Sequence, residues 1–562
     1  MPLPRSVSAW RQIGCRTLTA ALFAGVIGAV STRSLRAAES APGAPVVKLP
    51  EFVVRADLPW KYVEVPGFEV ISMASDEATE RFVRGLRHQV SLFETMLPED
   101  FRRPLSTKAF VILHVYDSPP EARRNTDPWF LDITSGKRWT GAARDGYFGA
   151  TLSDPTDYDT PTFTVNVVWF ESHSYTGRRL RLETAVRYLL WELDCRKPKP
   201  PAWLATGLQA ALTAAPVTDN GFRLAESAML EFEPRPLDLR QLLENDGLAA
   251  SPVAKPGKPM DHTTVSAAKF VIWGLVNKEY TERFWLFVRR ASEENVTEEL
   301  FKECFGFGYR EANRRVGGFF PKADALVNIT VPSERIRTVP NALTFRPARP
   351  SELGRIIGEW RRQAAFLETD PARFAAASDS ARISVAKTIP RSPDAPFLAA
   401  LGISECQAGK TDEALEHLGA AIRAKVVRPR AYLEYARLLL QKDVDGLKDP
   451  SARLPEEQRR AIMDVLRAGA AETPALNGIY RLAVEVCARG ELQPISADLD
   501  LIEQGTRLFP KDSQLAVAAI QLHAKHGMKA RAASIANRWL KTVDEKTRMH
   551  FEQGGFSSES NL

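Results

Sequence analysis

Beyond Pro340 the chain turns into a run of alanine-rich helical stretches in which small residues recur at fixed offsets. Leu401–Gly402, Gly409, Ala414, Leu418 and Ala421 place small and apolar residues at intervals of 7, 5, 4 and 3. Small side chains at such spacings let two antiparallel helices approach closely, so this half is expected to be all-helical and built from stacked hairpins. A partial second copy surrounds Gly527 and Ala532, preceded by Pro510. Residues 429–442 with 455–471, and 475–489 with 494–508, read as two further helical pairs with irregular connections. That makes about four degenerate units across residues 376–545.

The first of these units resembles the tetratricopeptide repeat, which implies an α-solenoid whose concave surface takes a protein or peptide partner. The texture before Pro340 is different. Trp60–Met73 reads as two short strands around Pro66–Gly67. Ser75 caps a helix that has Asp76 and Glu77 in its first turn and an apolar stripe of Phe82, Leu86, Val90, Phe93 and Leu97, stopped by Pro98. Ala109–Tyr116 reads as a buried strand. Thr162–Phe170 alternates, with Phe163, Val165, Val167 and Trp169 on one face and Thr162, Thr164 and Asn166 on the other. Helices follow over 178–193, 202–214 and three stretches of 265–320. Strands early and helices late imply an α+β domain over 58–325, joined by a connecting segment, 326–375, to the solenoid.

The first 38 residues read as an export signal. Arg5, Arg11 and Arg16 precede the apolar run Leu18–Val30, and Ala37, Ala38 and Ser40 are cleavage candidates. Such a run is short for a membrane span, and an uncleaved anchor is the one membrane attachment the sequence allows. Cys15 precedes the run, which argues against a lipoprotein anchor. Residues 39–57 read as a proline- and alanine-rich linker, and 546–562 as a disordered tail. The leader holds five arginines and no acid, so subtracting them from the 75 basic residues leaves 70 against 69 acidic ones. A near-neutral mature chain leaves no basic domain that would point to nucleic acid, and no nucleic-acid partner is expected. Cys195, Cys304, Cys406 and Cys487 are widely spaced and declare neither a zinc knuckle nor a disulfide framework.

The middle of the chain carries a second resemblance. Leu182–Leu190 (LETAVRYLL) followed by Pro201–Leu212 (PAWLATGLQAAL) is similar to the core of the exported gluzincin metallopeptidases. That family is thermolysin-like in fold, and its HExxH helix is followed by a segment whose glutamate is the third zinc ligand. The resemblance covers roughly residues 58–325 and includes the helical stretch of residues 265–320. HExxH works because residues i and i+4 share a helical face and present two imidazoles to one metal, while the glutamate activates its water. Aligned on the motif, this sequence has Glu183 and Arg187 at the histidine positions, Thr184 at the general base and Thr206 at the third ligand. A shift of one residue places Leu182 and Val186 at the histidines. Arginine is permanently charged and has no lone pair to give, so neither register binds zinc.

The resemblance therefore implies a degenerate peptidase-like domain without catalytic or metal-binding residues and without a cofactor. Glu183 and Arg187 form an i,i+4 pair in the favourable order, and Arg187 is expected to stand where the cation was lost. The rival expectation is an exported metal-dependent peptidase or other hydrolase whose residues have moved. His88, His114, His173 and His262 have no short ligand spacing, while His523 and His526 lie one turn apart. No GxSxG elbow, P-loop or dinucleotide fingerprint is present. Thr162, Thr164 and Asn166 mark an expected edge strand able to accept an extended peptide. A third reading makes the first domain a cap that presents the repeats.

Overall fold

The computed structural model describes residues 60–101, 107–114, 139–142, 149–152, 160–166, 184–193, 200–214, 217–218, 221–223, 238–244, 262–294, 296–319, 328–330, 343–366, 368, 370–445, 453–510, 512–540 and 543. The expected leader, linker and tail lie outside them, as do Glu183 and His173.

The chain opens with a hairpin, β1 (Lys61–Val65) and β2 (Phe68–Ser72). Its turn needs glycine twice over. Gly67 has φ +82°, and a Cβ there would lie 2.1 Å from the Tyr188 hydroxyl. Helix α1 (Asp76–Glu94) follows, with the Ser75 hydroxyl accepting from the Ala78 amide at 3.1 Å. β3 (Ala109–His114) pairs parallel to β2. β4 (Trp139–Ala142) and β5 (Gly149–Leu152) form a hairpin, and β6 (Thr162–Asn166) lies between β5 and β3.

Helices then dominate: α2 (184–193), α3 (Ala202–Ala214), α4 (Leu239–Glu244), α5 (His262–Val276), α6 (Thr281–Glu293), α7 (Glu298–Phe305) and α8 (Tyr309–Phe319). Three short strands, β7 (Val217–Thr218), β8 (Gly221–Arg223) and β9 (Asn328–Thr330), form a separate antiparallel sheet. β10 (Arg346–Pro347) closes the main sheet against β1, giving the seven-stranded order β10-β1-β2-β3-β6-β5-β4.

The centre of the main sheet, from β2 through β3 to the start of β6, is buried on both faces. Val63, Val65, Phe68, Val70, Val111, Leu113 and Phe163 point into one core with α1, α2, α3 and α5–α8. That core centres on stacked and edge-on aromatics, among them Trp203, Phe270, Phe284, Phe287, Phe301 and Phe305. The opposite face, with Tyr62, Ile71, Phe110, Ile112 and Thr162, is buried as well. Helix α9 (Pro350–Ala365) covers it, touching β3, β5 and β6. Burial on both sides explains the unbroken apolar run Phe110–Leu113 in place of an alternating one.

Helix α9 also begins the helical stack. After it come α10 (Pro371–Ala386), α11 (Ala395–Gln407), α12 (Thr411–Arg423), α13 (Pro429–Asp445) and α14 (Glu456–Ala471). Helices α15 (Asn477–Arg489), α16 (Ser496–Leu508), α17 (Ser513–Lys525) and α18 (Lys529–Leu540) complete it. Each helix packs on the next, and α9, α11, α13, α15 and α17 also pack in succession on one another, the contact pattern of a one-dimensional stack. At the best-matching unit, a Cβ on Gly402 would lie 2.6 Å from Leu418 Cγ, which is why α11 and α12 approach as they do.

The segment 326–375 is therefore no tether. β9 and β10 return to the sheets, and α9 is shared by sheet and stack, so the stack starts one hairpin earlier than residue 376. Its strands are two and three residues long, too short to leave a period in the sequence. Among the described residues no helix is long and apolar enough to cross a membrane.

Candidate functional site

The helix that the resemblance aligns with a metal-binding helix, without its ligands, is held by its own apolar stripe. Ala185, Val186, Leu189 and Leu193 of α2 are almost completely buried in the first core. Helix α3 joins the same core through Trp203, Leu204, Leu208 and Leu212. Its Gly207 sits against α5, where a Cβ would lie 2.5 Å from Val271 and 2.6 Å from the Ala267 carbonyl oxygen. That close approach fixes the neighbouring Thr206. Thr184 and Thr206 are each 5% exposed, buried hydroxyls at the expected positions of the general base and third ligand. Arg187 is half-buried on α2 and is engaged by neighbours. Two threonines and an arginine do not fit a zinc ion: a neutral hydroxyl is a poor ligand at neutral pH, and a guanidinium repels the metal. Glu183, the remaining member of the expected set, lies outside the described residues.

A polar cluster that sequence reasoning missed lies where α2 meets α1. The Tyr188 hydroxyl donates to Glu192 Oε1 at 2.7 Å, and both side chains are buried. Burial pushes the Tyr188 phenol well above its ordinary value, the Glu192 carboxylate adds to this, and Arg87 opposes it. Arg87 is 4% exposed, its Nη2 stands 3.8 Å from Glu94 Oε2, and its Nε has no hydrogen-bond partner. The one trace of this in the sequence is Glu192 breaking the apolar stripe of α2 four residues after a tyrosine. The cluster holds no serine, cysteine or histidine, so it presents no nucleophile–base pair.

The expected edge strand is an interior one. β6 has β3 on one side, with Phe110 opposite Thr162 and His114 opposite Asn166, and β5 on the other, with Ala150 opposite Thr164. Thr162 is fully buried and its hydroxyl has no hydrogen-bond partner. Strand addition at Thr162, Thr164 and Asn166 is thereby excluded, since β3 and β5 already use both edges of that strand. The strands that cover it, WTGA and GATL, are four residues each and lack apolar alternation, so the sequence gives no period-2 signal for them.

The junction between sheet and stack holds a second buried polar network. Arg355 of α9 donates to Glu69 of β2 at 3.1 Å and lies over the Phe110 ring, while the Tyr62 hydroxyl donates to Glu69 at 2.8 Å. One turn on, Glu359 is 1% exposed and accepts from Arg362 at 2.7 Å and from Arg428, just before α13, at 2.9 Å. Burial alone would raise the Glu359 carboxyl, but the two guanidinium groups hold it far below the ordinary carboxylate range. Gln363 donates to Glu359 at 2.8 Å and to the Thr160 carbonyl, just before β6, at 2.7 Å. The chain is thereby pinned across elements some 200 residues apart.

Elsewhere, His523 is fully buried with Nδ1 2.8 Å from the Ala519 carbonyl, and burial lowers the His526 imidazole. Among the described residues no group of three or more histidine, cysteine, aspartate or glutamate side chains is placed to hold a metal ion. No family model, no curated protein and no solved structure matches this chain.

Proposed function

We propose that the protein is an exported, non-catalytic scaffold: a degenerate peptidase-like unit fused to a tetratricopeptide-like stack that engages a protein or peptide partner. The observation that carries this reading is the pair of buried hydroxyls, Thr184 and Thr206, where a metallopeptidase keeps its base and third ligand. Arg187 on the same helix supplies the positive charge in place of a metal, and the apolar stripe of α2 keeps the helix packed without one. The sharing of α9 between sheet and stack supports a presenting role for the first unit, because a shared helix holds the stack in a fixed attitude to the sheet.

The test uses the full chain. Metal content is measured by mass spectrometry after purification without chelators, and binding is measured against a peptide library. The reading expects less than about a tenth of a zinc per chain, with peptide protection from hydrogen exchange concentrated in residues 395–540. One zinc per chain together with peptide hydrolysis overturns it. So does peptide protection confined to residues 184–214.

A further inference from the structure

The second helices of successive hairpins are joined by ion pairs at one repeated spacing. Arg467 on α14 pairs with Asp498 on α16, and Asp500 on α16 pairs with Arg531 on α18 at 2.9 Å. The partners in each pair are 31 residues apart. Alternate helices of a hairpin stack run in the same direction, so the register set by Asp500 and Arg531 continues along both helices. Seven residues, or about two turns, further on, the same spacing brings Arg507 opposite Arg538. Here the aspartate of the pattern is replaced by a second guanidinium.

The local surroundings relieve this pair of charges only in part, through Glu503. Arg538 is partly buried, its Nη1 is fully covered, and that nitrogen has no hydrogen-bond partner. Arg507 is largely exposed, and its contact with Glu503 is at 3.8 Å, beyond hydrogen-bond range. Burial and the Arg507 charge both lower the Arg538 guanidinium, and Glu503 only partly offsets them. Both arginines lie in the last turn of their helices, where the terminal carbonyls favour a cation. That effect accounts for each arginine singly and not for two facing each other.

We propose that Arg507 and Arg538 form a seat for a small oxyanion, a carboxylate or phosphate group, which takes the place held by an aspartate side chain in the two preceding pairs. Guanidinium forks match such groups with parallel N–H donors. Arg507 supplies the solvent-exposed side by which the anion enters, and Arg538 the anchored side. The seat is independent of whether the stack also binds a peptide.

The probes are inorganic phosphate and acetate, added to the full chain at constant ionic strength, with thermal unfolding as the readout. The wild-type midpoint rises saturably, and Arg538→Gln weakens the apparent affinity by at least about tenfold, the loss of one charge-assisted contact. In low-salt buffer without either anion, Arg538→Gln unfolds at the same temperature as wild type or above it, because an uncompensated cation is gone. Arg507→Gln, at an exposed position, repeats the affinity test without risk to the fold. A response to phosphate alone identifies the seat as one for phosphate groups, and a response to both identifies it as one for carboxylates too. Equal responses in wild type and both variants overturn the proposal, as does a low-salt loss of stability in Arg538→Gln.

Discussion

Replacing Glu359 by glutamine removes one negative charge and keeps the side-chain volume, yet it takes the Glu359 counter-charge away from two buried guanidinium groups. Arg362 and Glu359 are each 1% exposed and Arg428 is 8% exposed, so water cannot take over the lost role. Breaking a buried ion pair from one side costs about 3–5 kcal/mol. A folding unit of 150–250 residues loses about 2–4 °C in Tm per kcal/mol, so the midpoint falls by roughly 10 °C. Because α9 is shared, the loss reaches both sides of the junction: exchange accelerates in β3 and β6 as well as in α11 and α13. The pH dependence follows from the same pair. The folded carboxyl is held below its ordinary value of 4.5, so its contribution is complete above that pH and fades as pH falls further. Thermal unfolding from pH 7 to pH 3 with hydrogen exchange tests this. In Glu359→Gln the share of the acid-induced stability loss that Glu359 carries is absent, while that of other paired carboxylates such as Glu69 remains. A drop below about 1 kcal/mol, or faster exchange confined to the stack, refutes the claim that α9 couples the two halves. Arg437→Ala, at an exposed arginine whose partner Glu434 keeps its second pair with Arg430, serves as the control and shifts stability by less than about 0.5 kcal/mol.

Two further substitutions test the sheet and the stack. Thr162→Val replaces a buried hydroxyl that has no partner with a methyl of similar size, and it raises stability by about 1 kcal/mol in urea unfolding; a loss of that size shows that the hydroxyl is bonded. Gly402→Val drives a side chain into Leu418, 2.6 Å from the position of its Cβ. It costs about 1–3 kcal/mol and raises proteolysis between α11 and α12, whereas unchanged stability means that the two helices are not in close contact.

Much of the local structure was legible. Ser75 with Asp76 and Glu77 marks the start of α1, the Pro66–Gly67 turn marks the first hairpin, and the Gly402-to-Ala421 spacing marks α11 and α12. Each is a short-range signal in which a cap, a turn or a helical period acts within a few residues. The candidate site was legible as residue identities alone. The resemblance aligns Thr184 with a general base, Arg187 with a histidine ligand and Thr206 with the third ligand, and the chemistry of these side chains argues against a metal there. The polar cluster of Arg87, Glu94, Tyr188 and Glu192 was not legible, because it is assembled from helices about a hundred residues apart.

The sequence by itself determined where helices and strands begin, which faces are apolar, and that the expected ligand positions hold threonine and arginine. Only the tertiary structure decided how those pieces are partnered. β6 is an interior strand because a glycine- and alanine-rich hairpin without periodicity pairs on its outer side. α9 belongs to both halves because its burial depends on a sheet face and a helical stack that lie far apart in the chain. Pairing and shared burial are long-range, and their free energy appears only when distant segments meet; a local period has no means of recording that.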